Sequence, residues 1–234
     1  MTSTETVVYD QPHPCIYLPD RIARLPHRLP TARLSPEQFD QRLAAGDRRS
    51  GPFLYRTACP TCHACEAIRI NVAAVELRQS QFRAQRRGDQ LLTFDIARPK
   101  VDEERVALFN RHRQLRNLDH GEGPIDEDGY TQFLTNTCCE TLEIAYRHQG
   151  QLVGIAIADG GATSLSAVYC FYEPTFRGVS LGTYSIIKQL QICAVTSRTH
   201  LYLGYYIAQS THMAYKGLFR PHERLINGHW TPFA

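Results

Sequence analysis

Residues 142–172 read LEIAYRHQGQLVGIAIADGGATSLSAVYCFY. The stretch contains three apolar runs, which are separated by Gly150-Gln151 and by Gly160-Gly161. Short apolar runs divided by glycine-containing turns are typical of neighbouring antiparallel strands. The stretch therefore predicts three strands that form an antiparallel meander.

A helix and a further strand follow the meander. Residues 181–196 repeat apolar side chains at helical spacing, and residues 201–207, LYLGYYI, have the pattern of a strand. The order in this half is therefore strand, strand, strand, helix, strand and helix, which is an α+β pattern. We expect two regions, an N-terminal basic region that bears the cysteines (1–100) and a C-terminal domain (101–234).

The first hundred residues contain shorter elements. Residues 1–35 are rich in proline and arginine, which predicts an extended arm laid on a core. Ser35-Pro36-Glu37 is a strong helix start, and this helix should end at Gly46. Residues 78–87 and 101–118 are predicted to be helices, with a strand at Ile68-Arg69-Ile70 before them.

The charge is spread unevenly along the chain. The net charge is +3, yet residues 1–100 contain 15 Lys and Arg against 10 Asp and Glu. Only three of the 26 basic residues are lysines, and arginine suits bidentate contacts with phosphate. A basic N-terminal half favours a polyanionic partner, although arginine richness can equally reflect a GC-rich genome. The sequence has neither the pattern of a membrane helix nor that of a signal peptide, so we expect a cytoplasmic protein.

Three cysteines, Cys59, Cys62 and Cys65, lie within seven residues, and Cys15 is a possible fourth ligand. Such spacing suits tetrahedral thiolate ligation, so it predicts a metal site that holds zinc or an iron–sulfur cluster. The alternative is a group of reduced core thiols.

Three further features could carry chemistry. The loop from Arg177 to Thr183 opens a helix, where free backbone N–H groups can bind a phosphate or an oxyanion. Asp159 ends an apolar strand, so it is either a catalytic carboxylate or a residue that makes turn hydrogen bonds. Tyrosines near Lys216, among them Tyr205, could surround a substrate or simply pack in the core.

Several segments, taken together and in order, carry a more specific signal. They are CIYLP (15–19), YR (55–56), CPTCHACEAIRI (59–70), QFRAQRR (81–87), LSAVYCFYEP (165–174), SLGTYSIIK (180–188), YLGYYI (202–207) and MAYK (213–216) with Phe219 and Pro221. In this order they resemble the arginyl-tRNA–protein transferase family, most closely its bacterial branch, the aspartate/glutamate leucyltransferases. Two departures are Glu173, where Asp is more usual, and Arg177, which is displaced from the usual Arg-Ser-Leu-Gly-Thr.

The resemblance implies a fold and a reaction. The expected fold is an α+β fold with an acetyltransferase-like (GNAT-type) mixed sheet flanked by helices, and a smaller cysteine-bearing N-terminal region packed on it. The expected reaction moves leucine from leucyl-tRNA to the α-amine of a protein that begins with Asp or Glu, which marks that protein for degradation. The expected partners are therefore aminoacyl-tRNA and acceptor proteins, with no membrane and no cofactor required for the chemistry.

On this basis the sequence assigns roles to particular residues. We expect Asp159, Glu173 or Tyr205 to accept the proton from the amine. The substrates are expected to contact Arg177, Leu181, Gly182, Thr183 and Lys216. The tRNA phosphates are expected to contact Arg83, Arg86 and Arg87, although an arginine-rich helix face can also serve solubility alone.

Three alternatives remain at this point. Arginyl transfer from arginyl-tRNA is the nearest, because the donor pocket cannot be identified from the sequence. An acetyl-coenzyme A-dependent N-acetyltransferase would use the same fold, but the loop at 177–183 matches the R/Q-x-x-G-x-G/A pattern poorly. A non-catalytic module that binds metal and RNA is the third.

Overall fold

The computed structural model describes residues 4–119 and 121–234. In chain order the strands are β1 (Glu5–Tyr9), β2 (His13–Pro14), β3 (Ile22–Ala23), β4 (His27–Pro30), β5 (Arg48–Ser50), β6 (Phe53–Tyr55), β7 (Glu66–Asn71), β8 (Thr93–Ala97), β9 (Glu140–His148), β10 (Gln151–Gly160), β11 (Ser164–Tyr172), β12 (His200–Tyr206), β13 (His222–Ile226) and β14 (His229–Phe233). The helices are α1 (Pro36–Ala44), α2 (Gln79–Leu91), α3 (Glu103–Leu115), α4 (Glu127–Tyr130), α5 (Leu181–Val195) and α6 (Thr211–Ala214). A π-helical turn at Thr131–Thr135 continues α4, and a 3₁₀ turn at Tyr215–Leu218 continues α6.

Eight strands form the central sheet, in the order β14-β13-β7-β12-β11-β10-β9-β8. The predicted meander is confirmed, because β10 pairs antiparallel with both β9 and β11. Helix α5 then leads to β12, which pairs parallel with β11. The α+β class, with a mixed sheet flanked by helices in the order meander, helix and parallel strand, is therefore as expected.

The N-terminal segment builds a second, four-stranded sheet in the order β1-β4-β6-β5. Much of the predicted extended arm belongs to it, since β1 and β4 pair antiparallel. Strands β7 and β8 also belong to the first hundred residues, but they lie in the central sheet. The two halves of the chain therefore share one sheet.

The predicted helix starts and the helix packing have identifiable causes. At the start of α1 the Ser35 side chain accepts a hydrogen bond from the Gln38 backbone, and Pro36 occupies the first turn. Helix α2 packs against α5 so closely that a Cβ on Gly88 would lie 2.3 Å from the ring of Tyr184. The hydroxyl of that ring donates to Asp89 at 2.9 Å. Helices α2 and α5 are thereby held together on one face of the sheet.

The hairpin of β13 and β14 extends the far edge of the central sheet, and no sequence pattern predicted it.

Within the described parts of the chain, no helix is long and apolar enough to cross a membrane.

A buried ion pair joins the two sheets. Arg49, on β5, donates through Nε to Asp159 Oδ2 at 2.6 Å, and both side chains are 0% exposed. The other carboxylate oxygen of Asp159 accepts from Thr141 Oγ1 at 2.7 Å. Because Asp159 is enclosed and neutralised, this geometry does not support its predicted role as the proton acceptor. It assigns Asp159 to the assembly of the two sheets.

We expect Asp159→Asn to lower the free energy of unfolding by about 3–5 kcal/mol, because it leaves the Arg49 charge buried without its partner. Urea unfolding followed by circular dichroism measures this change. The control is the double variant Arg49→Leu with Asp159→Leu, which removes both charges and should recover most of the loss. A single variant as stable as the parent would contradict the structural role.

Candidate active site

The central sheet opens between β11 and β12. The two strands pair in parallel only from Ser164 to Ser166, opposite His200 to Tyr202. Beyond these residues the described strands do not pair with each other, although both continue. The pairing of β12 with β7 also shifts register between Tyr202 and Tyr205. The parting strands form a V-shaped opening in the sheet, which we call the V.

The guanidinium of Arg48, on β5, fills the narrow end of the V. It donates from Nη1 to Ser166 Oγ at 2.9 Å and from Nη2 to the Ala167 carbonyl at 2.7 Å. Gly204, on the opposite strand, has φ +82, and a Cβ there would lie 2.9 Å from Arg48 Nη2. A glycine is thus required both by the backbone conformation and by the closeness of the guanidinium.

Lys216, in the 3₁₀ turn after α6, brings a second cation to the V. Its Nζ donates to the Tyr205 carbonyl on β12 at 2.8 Å and contacts Met213 Sδ at 3.5 Å. Burial of the amine, and then repulsion by Arg48, lower the pKa of Lys216 to about 7. Around neutral pH the side chain therefore exchanges readily between its charged and neutral forms.

A cavity of about 180 Å³ lies beside Tyr55, which pairs with Arg48, and Tyr205, whose carbonyl accepts from Lys216; the two cations themselves do not line it. The N-terminal segment supplies most of its wall. Tyr17, Tyr55 and Tyr205 line it, and the rings of Tyr55 and Tyr205 meet edge to face at 6.2 Å. Burial raises the pKa of Tyr205 far above its ordinary value. The phenol stays protonated at neutral pH and can donate a hydrogen bond to a ligand, so the predicted role of Tyr205 as proton acceptor gains no support.

Glu173 lies outside this cavity. Its carboxylate accepts from Arg111 Nε at 3.0 Å and from Thr175 Oγ1 at 2.8 Å. Burial favours the neutral acid, but the hydrogen bonds from Thr175 and Arg111 outweigh it and lower the pKa of Glu173. A carboxylate held in this way is a poor proton acceptor, so the predicted role of Glu173 gains no support.

The residues predicted to contact the donor lie around the start of α5. Leu181 is buried and packs on Gly154, so only its backbone is available to a ligand. Nothing in the described structure would lie within 4 Å of a Cβ on Gly182, and Thr183 is partly exposed. Arg177 is exposed in the preceding loop. The helix start is therefore open to an incoming group.

The arginine face of α2 adjoins this helix start. Arg83, Arg86 and Arg87 are exposed, and Arg87 donates to the Gly178 carbonyl in the loop before α5. At the other end of α2, Gln81 donates to the Leu218 carbonyl at 3.3 Å, beside the turn that bears Lys216. Helix α2 thus contacts the glycine loop through Arg87 and the lysine turn through Gln81 at its other end, and none of the three lines the 180 Å³ cavity.

Cys15, Cys59 and Cys65 line the cavity, and all four predicted ligands, including Cys62, are free thiols. Burial, and then the neighbouring thiols, raise the pKa of Cys65 to about 12. Among the residues that the structure describes, no three His, Cys, Asp or Glu side chains are arranged to hold a metal ion. The zinc or iron–sulfur site at these cysteines therefore stays a prediction, and we assign no chemical step to a metal.

No pattern in the sequence pointed to Arg48. It stands beside Arg49 in a three-residue strand, where nothing in the spacing distinguishes a ligand-binding arginine from a structural one. Tyr17 and Tyr55 lie within two of the segments that carry the family resemblance, but that resemblance gave them no role.

Comparison with known proteins gives matches over almost the whole chain. The family model "Arginine-tRNA-protein transferase, C terminus" matches residues 104–226, and its N-terminal counterpart matches residues 13–83. A protein of Saccharophagus degradans named aspartate/glutamate leucyltransferase is 34% identical over 95% of this chain and 94% of its own. The protein of that name from Halorhodospira halophila is 38% identical over 93% of each chain. Among solved structures, L-PGS from Bacillus licheniformis matches 61% of this chain and 45% of its own, with 14% identity and a TM-score of 0.46.

We expect Lys216→Met to stabilise the protein more at pH 7 than at pH 10. Folding lowers the pKa of Lys216 from 10.5 to about 7, so between these values the unfolded chain takes up a proton that the folded protein does not. The lysine therefore costs increasing stability as the pH falls from 10 to 7. The melting temperature at pH 7 should rise by about 2–4 °C for each kcal/mol of this cost that the substitution removes in a chain of this size.

The matched control is Lys100→Met, because Lys100 is exposed. Its effect on the melting temperature should be the same at both pH values. An equal effect of Lys216→Met at pH 7 and pH 10 would contradict the lowered pKa.

Proposed function

The chain belongs to the arginine-tRNA-protein transferase family, and we propose that it moves leucine from leucyl-tRNA to the α-amine of proteins that begin with Asp or Glu. The choice of leucine and of acidic acceptors is supported by the names of its relatives. The observation that carries the proposal is the pair of cations, Arg48 and Lys216, at the V. Two cations beside a small cavity favour an acidic side chain.

In this proposal, Arg48 and Lys216 hold the side-chain carboxylate of the acceptor's first residue. Hydrogen bonds to Ser166 and Ala167 fix the guanidinium of Arg48, so little side-chain entropy is lost on binding. A neutral acceptor would leave both cations without a counter-charge, and that penalty provides selectivity.

Lys216 also supplies the proton acceptor that Asp159, Glu173 and Tyr205 do not. The acceptor's α-ammonium group has an ordinary pKa of about 7.7–8.0, and the bound carboxylate raises the proton affinity of Lys216. The proton passes from the ammonium group to Lys216, which leaves a neutral amine. The amine attacks the ester carbonyl, the C–N bond forms, and the ester C–O bond breaks. The second amine proton ends on the ribose hydroxyl that leaves.

The donor binds on the α2 and α5 side. We propose that Arg83, Arg86 and Arg87 contact tRNA phosphates. The tRNA terminus or the developing oxyanion binds to Arg177 and to the backbone of Leu181, Gly182 and Thr183. Conversion of an ester to an amide is downhill, so this scheme requires no metal or organic cofactor. Aminoacyl-tRNA is a cytoplasmic donor, which is consistent with a cytoplasmic location.

The deciding experiment offers the purified protein three donors, namely leucyl-tRNA, arginyl-tRNA and acetyl-coenzyme A. We expect labelled leucine to pass to a peptide that begins with Asp, but not to the same peptide beginning with Lys. Transfer from arginyl-tRNA alone would support the arginyl alternative, and transfer from acetyl-coenzyme A alone would support an acetyltransferase. Binding of tRNA without any transfer would support the non-catalytic alternative.

We expect Arg48→Met to raise the KM for an Asp-initiated peptide by about tenfold to a hundredfold, because one charge-assisted interaction is worth about 1.5–3 kcal/mol. The KM for leucyl-tRNA should stay unchanged, since Arg48 contacts β11 whereas Arg87 contacts the loop before α5. The transfer assay under varied concentrations of each substrate measures both values.

The control is Arg147→Met, because Arg147 pairs with Glu104 and donates to the Gly150 carbonyl, whereas Arg48 donates to Ser166 and Ala167 at the V. Arg48→Lys retains the charge and should recover part of the peptide affinity, provided that its melting temperature matches that of the parent. An unchanged peptide KM in folded Arg48→Met would remove this residue from the acceptor site.

A further inference from the structure

A row of side chains crosses one face of the four-stranded sheet and ends at the V. Neighbouring strands place Tyr9 opposite His27, His27 opposite Tyr55, and Tyr55 opposite Arg48. The first two rings meet edge to face at 6.0 Å, and His27 stacks on Tyr55 at 5.4 Å. Tyr9 is 46% exposed, whereas Arg48 is buried. The row therefore leads from solvent to the site.

A cleft lies along the outer half of this row. Its volume is about 490 Å³, and its walls come from β1, the turn between β5 and β6, and the segment of α4 with its π-helical turn. His27 and Ser50 line both this cleft and the 180 Å³ cavity. The cleft is therefore the neighbour of the acceptor cavity and continues it towards the surface.

The side chains that line the cleft suit one of the two proposed substrates and not the other. Tyr9, Phe53 and Phe133 provide rings, Val8 provides an apolar edge, and none of the described residues that line the cleft is Lys, Arg, Asp or Glu. Binding of a nucleic acid depends on cations that neutralise its phosphates. The exposed arginines of α2 lie instead beside the loop before α5. The cleft thus suits an uncharged polypeptide and not the tRNA.

We propose that this cleft binds the residues that follow the first residue of the acceptor protein, held in an extended form with apolar side chains against the rings. The inference rests on the proposed function, since it takes the acceptor's first residue to lie at Arg48. From there the chain passes His27 and Ser50 and continues along the cleft to the edge at β1. An acceptor is then recognised by an acidic first residue and by an apolar segment behind it.

The test compares three acceptors with the full chain and leucyl-tRNA. They are an Asp-Ala dipeptide, an Asp-initiated pentapeptide with apolar residues at positions 3–5, and the same pentapeptide with Gly and Ser at those positions. We expect the KM of the apolar pentapeptide to be about tenfold lower than that of the dipeptide, since burial of apolar side chains outweighs the ordering of the peptide. The Gly and Ser pentapeptide should resemble the dipeptide.

Two neighbouring residues provide the variant and its control. Val8 lines the cleft and is 47% exposed, whereas Val7 does not line it and is 56% exposed. Both changes, Val8→Asp and Val7→Asp, lie at the surface of the edge strand. In Val8→Asp the ratio of the dipeptide KM to the apolar pentapeptide KM should fall towards one, because docking would bury a charge. In Val7→Asp the ratio should match that of the parent.

Three results would overturn the inference. They are a ratio near one in the parent protein, an unchanged ratio in Val8→Asp, and a rise in the KM of leucyl-tRNA in that variant, which would assign the cleft to the tRNA.

Failure of the proposed function gives a different result, because none of the three acceptors is then modified. In that case, fluorescence anisotropy of the labelled apolar pentapeptide still tests docking. Tighter binding to the parent than to Val8→Asp would support the cleft, and equal binding would reject it.

Discussion

Two adjacent arginines on one short strand join the N-terminal sheet to the central sheet. Successive residues of a strand point to opposite faces, so Arg49 and Arg48 reach different parts of the central sheet. Arg49 enters the interior and pairs with Asp159, while Arg48 fills the narrow end of the V. The buried pair fixes the strand, and the fixed strand places the guanidinium. The site therefore exists only when the two sheets are assembled.

The two positive charges at the site destabilise the empty protein and favour binding of an acidic ligand. Two cations, Arg48 and Lys216, stand close together, and burial and mutual repulsion lower the pKa of the lysine. Such an arrangement costs free energy in the empty protein, and an acidic ligand relieves it. In the scheme proposed here, the same relief drives proton uptake by Lys216 and frees the acceptor amine for attack. Recognition of an acidic residue and activation of its amine are then coupled.

The two substrates are proposed to approach from different parts of the molecule. The arginine face of α2 lies against the loop before α5, which suits the phosphates of a tRNA. The row from Tyr9 to Arg48 crosses the N-terminal sheet and offers rings instead of cations. The row ends at Arg48 in the V, and the N-terminal end of α2 contacts the turn that bears Lys216. This separation allows a large polyanion and a protein chain to bind at the same time without competing.

The sequence by itself determined the elements whose causes are local. The meander follows from apolar runs between glycine turns, α1 from the cap at Ser35, and the family from segments spread along the chain. Tertiary structure alone decided the chemistry of single residues. Asp159 resembled a catalytic carboxylate until Arg49, 110 residues away, was seen to neutralise it. The proposed role of Arg48 depends on its contact with Ser166, 118 residues away. Burial and charge pairing depend on residues that are distant in the sequence, so no local pattern can report them.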